Sequence, residues 1–235
     1  MNGHYYRPMQ PTDAELATKA LDEEAAYRFP SFSANDAVTL GLSLRKRFRS
    51  SSRHQRLGRG LVISIQTIVG HTLFSCTVGD LGITVGDVSL DSWSSLDGMI
   101  AVVRRTGHSS FYVEKGMGAM GKSPQQLGLP SDLRIHGGAF PIWLQNAPCC
   151  PIAVVACYSG SSADDHHMVV TTVRDYLRKM SEGAEKPPPG PRGSVTKSSP
   201  GIHDSSSVEW IGKTAVGKLY RPTQYEEGHE SEGVP

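Results

Sequence analysis

The sequence is short of the features that assign a function quickly. No apolar run approaches the roughly 18 residues that span a bilayer. Hydrophobic residues make up only 38% of the 235 and aromatics 7%. That is little for a wholly globular chain, so part of the sequence is expected to stand apart from the core. Neither sign of charge dominates: 24 Lys and Arg against 23 Asp and Glu leave a formal net charge of +1, with an isoelectric point near 7.8. A globally basic nucleic-acid binder is thereby excluded, although local patches stay open. Of the four cysteines, Cys149 and Cys150 are adjacent, while Cys76 and Cys157 lie inside apolar strand-like runs. This is neither a disulfide framework nor zinc-finger spacing, and a reducing cytosol is the simplest address. The opening "MNGHYYRPMQ" lacks the apolar core of a secretion signal, and Asn2 stands where N-myristoylation needs glycine.

What is present has a regular order. Thr12 and Glu15 have capping-box spacing ahead of a helix to about Tyr27, whose thin stripe of Leu16, Ala20 and Tyr27 suits packing on an edge. Residues 1–30 read as an extension, 31–181 as the globular domain and 182–235 as a mostly disordered tail rich in Pro, Gly and Ser. Inside the domain, Ala37, Leu40, Gly41, Leu44 and Phe48 share a helical face, with Ser33 or Asn35 as N-cap. "LVISIQTI" and "TLFSCTV" read as a hairpin turning at Val69-Gly70-His71. Trp93, Leu96, Ile100 and Val103 mark a helix ended by Gly107, and another starts at Ser109 or Ser110. Then come the strands "AFPIWL" and "IAVVACY" and a last helix whose inner face is Val169, Val173, Tyr176, Leu177 and Met180. The order α-ββ-αα-ββ-α predicts an α/β (α+β) domain with a mostly antiparallel sheet covered by helices.

Three polar stretches sit at element boundaries, where sites are commonly built: "GHSSFY" (107–112), "RIHGG" (134–138) and "SGSSADDHH" (159–167). The candidate ligand-binding residues are His108, Ser109, Ser110, His136, Gly137, Gly138, Ser159, Gly160, His166 and His167. Ser162 and Asp165 have capping-box spacing, which puts His166 and His167 in the first helical turn. There the dipole favours neutral imidazole, able to ligate a metal or haem iron. The plainer readings stand beside these. His108 next to a C-cap glycine suits a bond to a helix carbonyl, and Gly137 and Gly138 suit positive φ or close approach. One of the two adjacent histidines must face solvent. The serines lack a G-x-S-x-G elbow. The stretch 45–60 holds seven Lys or Arg and no acid, but its one aromatic, Phe48, belongs to a helix face, so nucleic-acid binding has little support.

Taken together, "DAVTLGLSL", "RTGHSSFYVEKGMGAMGKSPQQLGLP", "RIHGGAFPI" and "PIAVVACYSGSSADDHHMVVTTVRDYL" resemble the haem-degrading-domain superfamily related to GlcG, HbpS and the C-terminal domain of PduO. The likeness covers about residues 31–180 and is to its cytosolic, uncharacterised branch; the basic segment and tails give the chain a fungal cast. It implies a profilin-like three-layer α/β/α fold, a sheet of about five strands and a ring-like homo-oligomer. Some relatives bind haem or cobalamin-related ligands. Three functions are then open. A haem-class ligand could sit among His108, His136 and His166 or His167, walled by Phe111, Tyr112, Phe140 and Trp143. An oligomeric adaptor could engage a cytosolic protein partner through the tails. An enzyme could degrade haem or act on a small anion, although no nucleophile with an obvious base is present.

Overall fold

The computed structural model of the chain describes residues 10–51, 59–79, 88–131 and 133–184. They lie within the first of two units into which the chain divides, 1–188 and 189–235. The tail and its adaptor role fall outside the described residues from 185 onward, as does 52–58 in the basic stretch.

Local signals place the elements. Helix α1 (Asp13–Ala26) starts at Thr12, whose hydroxyl accepts the Glu15 N–H while the Glu15 carboxylate accepts the Thr12 N–H. Its buried side is Ala17, Ala20 and Glu24, rather than the expected Leu16 and Tyr27, which stay half-buried. Helix α2 (Ala34–Ser50) has the same box at Ser33 and Asp36 and buries the five residues its periodicity predicts. Strands β1 (Leu61–Thr67) and β2 (Thr72–Val78) form the hairpin. Helix α3 (Leu90–Thr106) ends on Gly107 at φ 74°. Helix α4 (Ser110–Met120) is capped by the Ser109 hydroxyl, and a 3-10 turn follows over Pro124–Leu127. Strands β3 (Ala139–Ile142) and β4 (Ala153–Tyr158) precede helix α5 (Ser162–Ala184).

The four strands among the described residues run in the order β2-β1-β4-β3, antiparallel at every pairing. About five were expected; residues 80–87 lie outside the described set. Alternation splits each strand between two cores. Leu61, Ile63, Ile65, Phe140, Ile142, Val155 and Cys157 face α2 and α5, together with Leu40, Leu44, Val169 and Val173. Val62, Ala139, Val154 and Ala156 face Leu96, Met99, Ile100 and Val103 of α3. The result is helix–sheet–helix layering, with apolar β4 central as its composition predicts. Pro141 sits on the edge strand β3, where a residue without an N–H costs the open side of the ladder nothing. Helix α1 packs on α4 and closes one end of the outer layer.

Candidate functional site

The three polar stretches meet where α1, the start of α4, the entry to β3 and the start of α5 come together. Two close approaches explain the glycines at that junction. Gly138 has φ 134°, and a Cβ there would collide with the Cys157 carbonyl oxygen. A Cβ on Gly137 would lie 2.5 Å from the Phe111 ring and 2.5 Å from the Ser162 hydroxyl. These are backbone reasons, not phosphate-binding ones. The Gly137 N–H donates to Glu114 Oε2 at 2.7 Å and to Ser162 Oγ at 2.9 Å, and the Ser162 hydroxyl in turn bonds the same carboxylate.

The serines are absorbed into the scaffold. Ser109 Oγ caps α4 by accepting the Tyr112 N–H, and buried Ser110 Oγ accepts the Ala139 N–H at 3.0 Å, tying α4 to β3. At the other end, Asp165 is fully buried and accepts the Ser159 N–H at 2.8 Å and its hydroxyl at 2.5 Å. Burial, only partly offset by those hydrogen bonds, pushes its carboxyl up to about 7. The expected capping box is shifted by one residue. Helix α5 starts at Ser162, the Ser161 carbonyl accepts the first helical N–H, from Asp165, and the Ser161 hydroxyl donates to Asp164. His166 and His167 therefore fall in the second turn, where the dipole has faded. Gly160, at φ 88°, provides the turn before it.

The histidines end in different settings. His167 is exposed and His166 buried, as one of each was expected. His166 stacks on Phe111 with ring centroids 4.3 Å apart, and its Nε2 lies 3.1 Å from Glu23 Oε2. Half-buried His136 lies edge-on to Tyr158 at 5.3 Å. His108 Nδ1 lies 2.9 Å from Glu24 Oε2, and the other oxygen of that carboxylate accepts the Ser109 N–H at 2.7 Å. Glu24 is 4% exposed, a buried carboxylate with both oxygens occupied. Its hydrogen bond raises the His108 pKa above the ordinary 6.5, against the opposing pull of burial.

These side chains do not line one cavity. His108, Tyr112, Val113, Met117, Met120 and Leu129 line an apolar cleft of about 260 Å³. His166 and His167 line a separate one of about 150 Å³ under α1, with Phe111 on its wall. His136 lines neither. Of the expected walls, only Tyr112 borders the His108 cleft; Phe140 is fully buried in the core, and Trp143 lies under Arg28. Sequence reasoning missed Glu23, Glu24 and Glu114. A signal for the first two was available: carboxylates in the last turn of α1, with no cation there, oppose the helix dipole and so call for outside partners.

Among the described residues, the layering, the antiparallel sheet and the polar strand–helix junctions define an α+β protein. A family model described as "Haem degrading protein HbpS-like" matches residues 32–174, and the chain belongs to that family. It is 30% identical over 174 residues to a UPF0303 protein of Serratia proteamaculans (strain 568), covering 70% of this chain and 92% of that protein. A solved structure of the Ybr137w protein superposes with a TM-score of 0.60 at 23% identity, over 70% of this chain and 89% of that one. A PduOC–heme complex matches with a TM-score of 0.45 at 16% identity, over 61% of this chain and 94% of that one. Helix α1 lies outside the residues that the family model matches. Among the described residues, no helix is long and apolar enough to cross a membrane.

Proposed function

We propose that the protein is a homo-oligomeric binder of a haem-class ligand, non-catalytic or weakly catalytic, in which His108 is the residue that holds it. One observation carries the reading: the His108 ring lines an apolar cleft while its Nδ1 is held by the buried carboxylate of Glu24. A ligating histidine characteristically gives its other nitrogen to a carboxylate, which fixes the tautomer and makes the free nitrogen more basic. His108 Nε2 has no hydrogen-bond partner among the described residues. Tyr112, Val113, Met117, Met120 and Leu129 offer the apolar surface that a porphyrin face needs. Haem, when bound, would supply an iron that His108 Nε2 would ligate.

The fit is to one face only. The cleft holds about 260 Å³, below the ~300–1,000 Å³ of pockets that engulf ligands. A second copy of the chain covering the cleft supplies the other face, which is why the reading is of an oligomer. The dual demand on His108 sets the pH dependence. Ligation needs neutral imidazole, and Glu24 raises the pH at which the proton leaves. Affinity therefore falls as the pH drops through that raised value.

Haemin titration of the purified chain tests this. The expected result is a Soret shift lost in His108→Ala, retained in His136→Ala and His166→Ala, and moved to a lower pH midpoint in Glu24→Gln. A shift that survives His108→Ala unchanged removes the proposal.

A further inference from the structure

The turn between β3 and β4 carries Pro148-Cys149-Cys150-Pro151, a pair that none of the preceding chemistry uses. Both thiols are exposed, whereas Cys76 is half-buried and Cys157 buried. Burial holds the Cys157 thiol well above the ordinary range, which leaves it inert as a ligand or nucleophile. The exposed pair differs in being open to solvent, so an incoming ion can reach both sulfurs. The Cys150 thiol is pushed up first by the charge of the Cys149 thiolate, then by desolvation and by a hydrogen bond from its neighbour.

Geometry decides what such a pair can do. Adjacent Cα atoms across a trans peptide are about 3.8 Å apart, whereas a relaxed disulfide needs about 4.4–6.8 Å. Direct S–S closure is therefore strained. A bridging atom with longer bonds to both sulfurs relieves the mismatch. Among the described residues no three His, Cys, Asp or Glu side chains converge, so the closed four-ligand set of structural zinc is absent there. Soft thiolate ligands favour Cu(I), zinc and iron–sulfur clusters, and of these Cu(I) is the one content with two ligands. The prolines reduce the ordering cost. Pro148 and Pro151 fix their own φ, and Pro151 restricts the backbone of Cys150 before it. Pro151 is itself buried, and the Ile152 N–H donates to the Ile142 carbonyl at 2.9 Å, so the turn is anchored at the sheet.

We propose that Cys149 and Cys150 form a two-thiol site for a soft, two-coordinate cation of the Cu(I) class. Uptake forms two Cu–S bonds and releases the two thiol protons, with no change in oxidation state. The site is separate from the His108 cleft and does not depend on it.

The test uses the reduced full-length chain and Cu(I) supplied as its bicinchoninate complex. One Cu(I) per chain is expected to leave the chromophore, with two sulfur neighbours by X-ray absorption. Cys149→Ser and Cys150→Ser should each weaken uptake by about a hundredfold or more, the loss of a chelating partner. Cys76→Ser should leave it unchanged and serves as the folding-neutral control. Uptake retained in both single variants overturns the proposal. So does retention of phenylarsine oxide without any transfer of copper, which would mark a vicinal dithiol lacking the cation site.

Discussion

Glu24 shows how one side chain sets the character of its surroundings. It is buried, yet each of its oxygens meets a donor, His108 and the Ser109 N–H, so the cost of removing a carboxylate from water is offset by charge-assisted bonds. Asp165 is the contrasting case. Its two bonds from Ser159 do not compensate for burial, and its pKa rises from 3.8 to about 7. Between those values the folded chain retains a proton that the unfolded chain has lost. Stability from this group is full below pH 3.8 and declines until the pH passes about 7. Full ionisation costs on the order of 4 kcal/mol at about 1.4 kcal/mol per pH unit. Asp165→Asn should therefore flatten the stability profile between pH 4 and pH 8 in urea unfolding. Parallel profiles for the two proteins would show that the carboxyl is not titrating in the fold.

Helix α1 illustrates an element whose importance its own pattern understates. Its apolar surface is slight, Ala17 and Ala20, and most of its attachment is polar. Glu24 reaches His108, Glu23 reaches His166, and Asp13 reaches Lys115 at 3.4 Å. Such a helix is held by geometry more than by area, so a bulky charge at its contact face should release it. Ala20 is 1% exposed; Ala20→Glu is expected to detach α1 while leaving the sheet folded. Two readouts separate this from global unfolding. Proteolysis should cut between α1 and α2, and the His108 imidazole, followed by NMR, should titrate back toward 6.5. A His108 pKa unmoved by the substitution would mean that Glu24 is still in place.

For the molecule as a whole, two of the large apolar side chains left exposed border the proposed cleft. Met120 is 54% exposed and Leu127 37%, and both line it. If a second copy completes the cleft, carboxylates at these positions place charge in an apolar contact, which is strongly unfavourable. The double variant Met120→Glu, Leu127→Glu should lower the mass seen in sedimentation and weaken haemin binding together. Loss of haemin binding with the mass unchanged would place the ligand within one chain and remove the shared cleft.

Much of the architecture was legible in the residues because local chemistry fixes it. The capping box at Thr12, the helix start near Ser33, Gly107 as a helix end and the start of α4 at Ser109 all follow from rules acting over a few residues. The period of apolar residues likewise predicts which face of α2 and α5 is buried. The candidate site was legible only in part. The sequence singled out His108, His136 and the His166–His167 pair but grouped them around one pocket. Tertiary packing distributes them over separate settings and brings Glu23 and Glu24 to two of them across more than 80 residues of chain. The one-residue shift at α5 has the same origin: Ser162 is drawn into bonds with Gly137 and Glu114, so Ser161 caps the helix instead. Caps, turns and periodicity are local and can be read from neighbours. Which carboxylate meets which histidine depends on how helices pack across the sheet, and no short window of sequence contains that information.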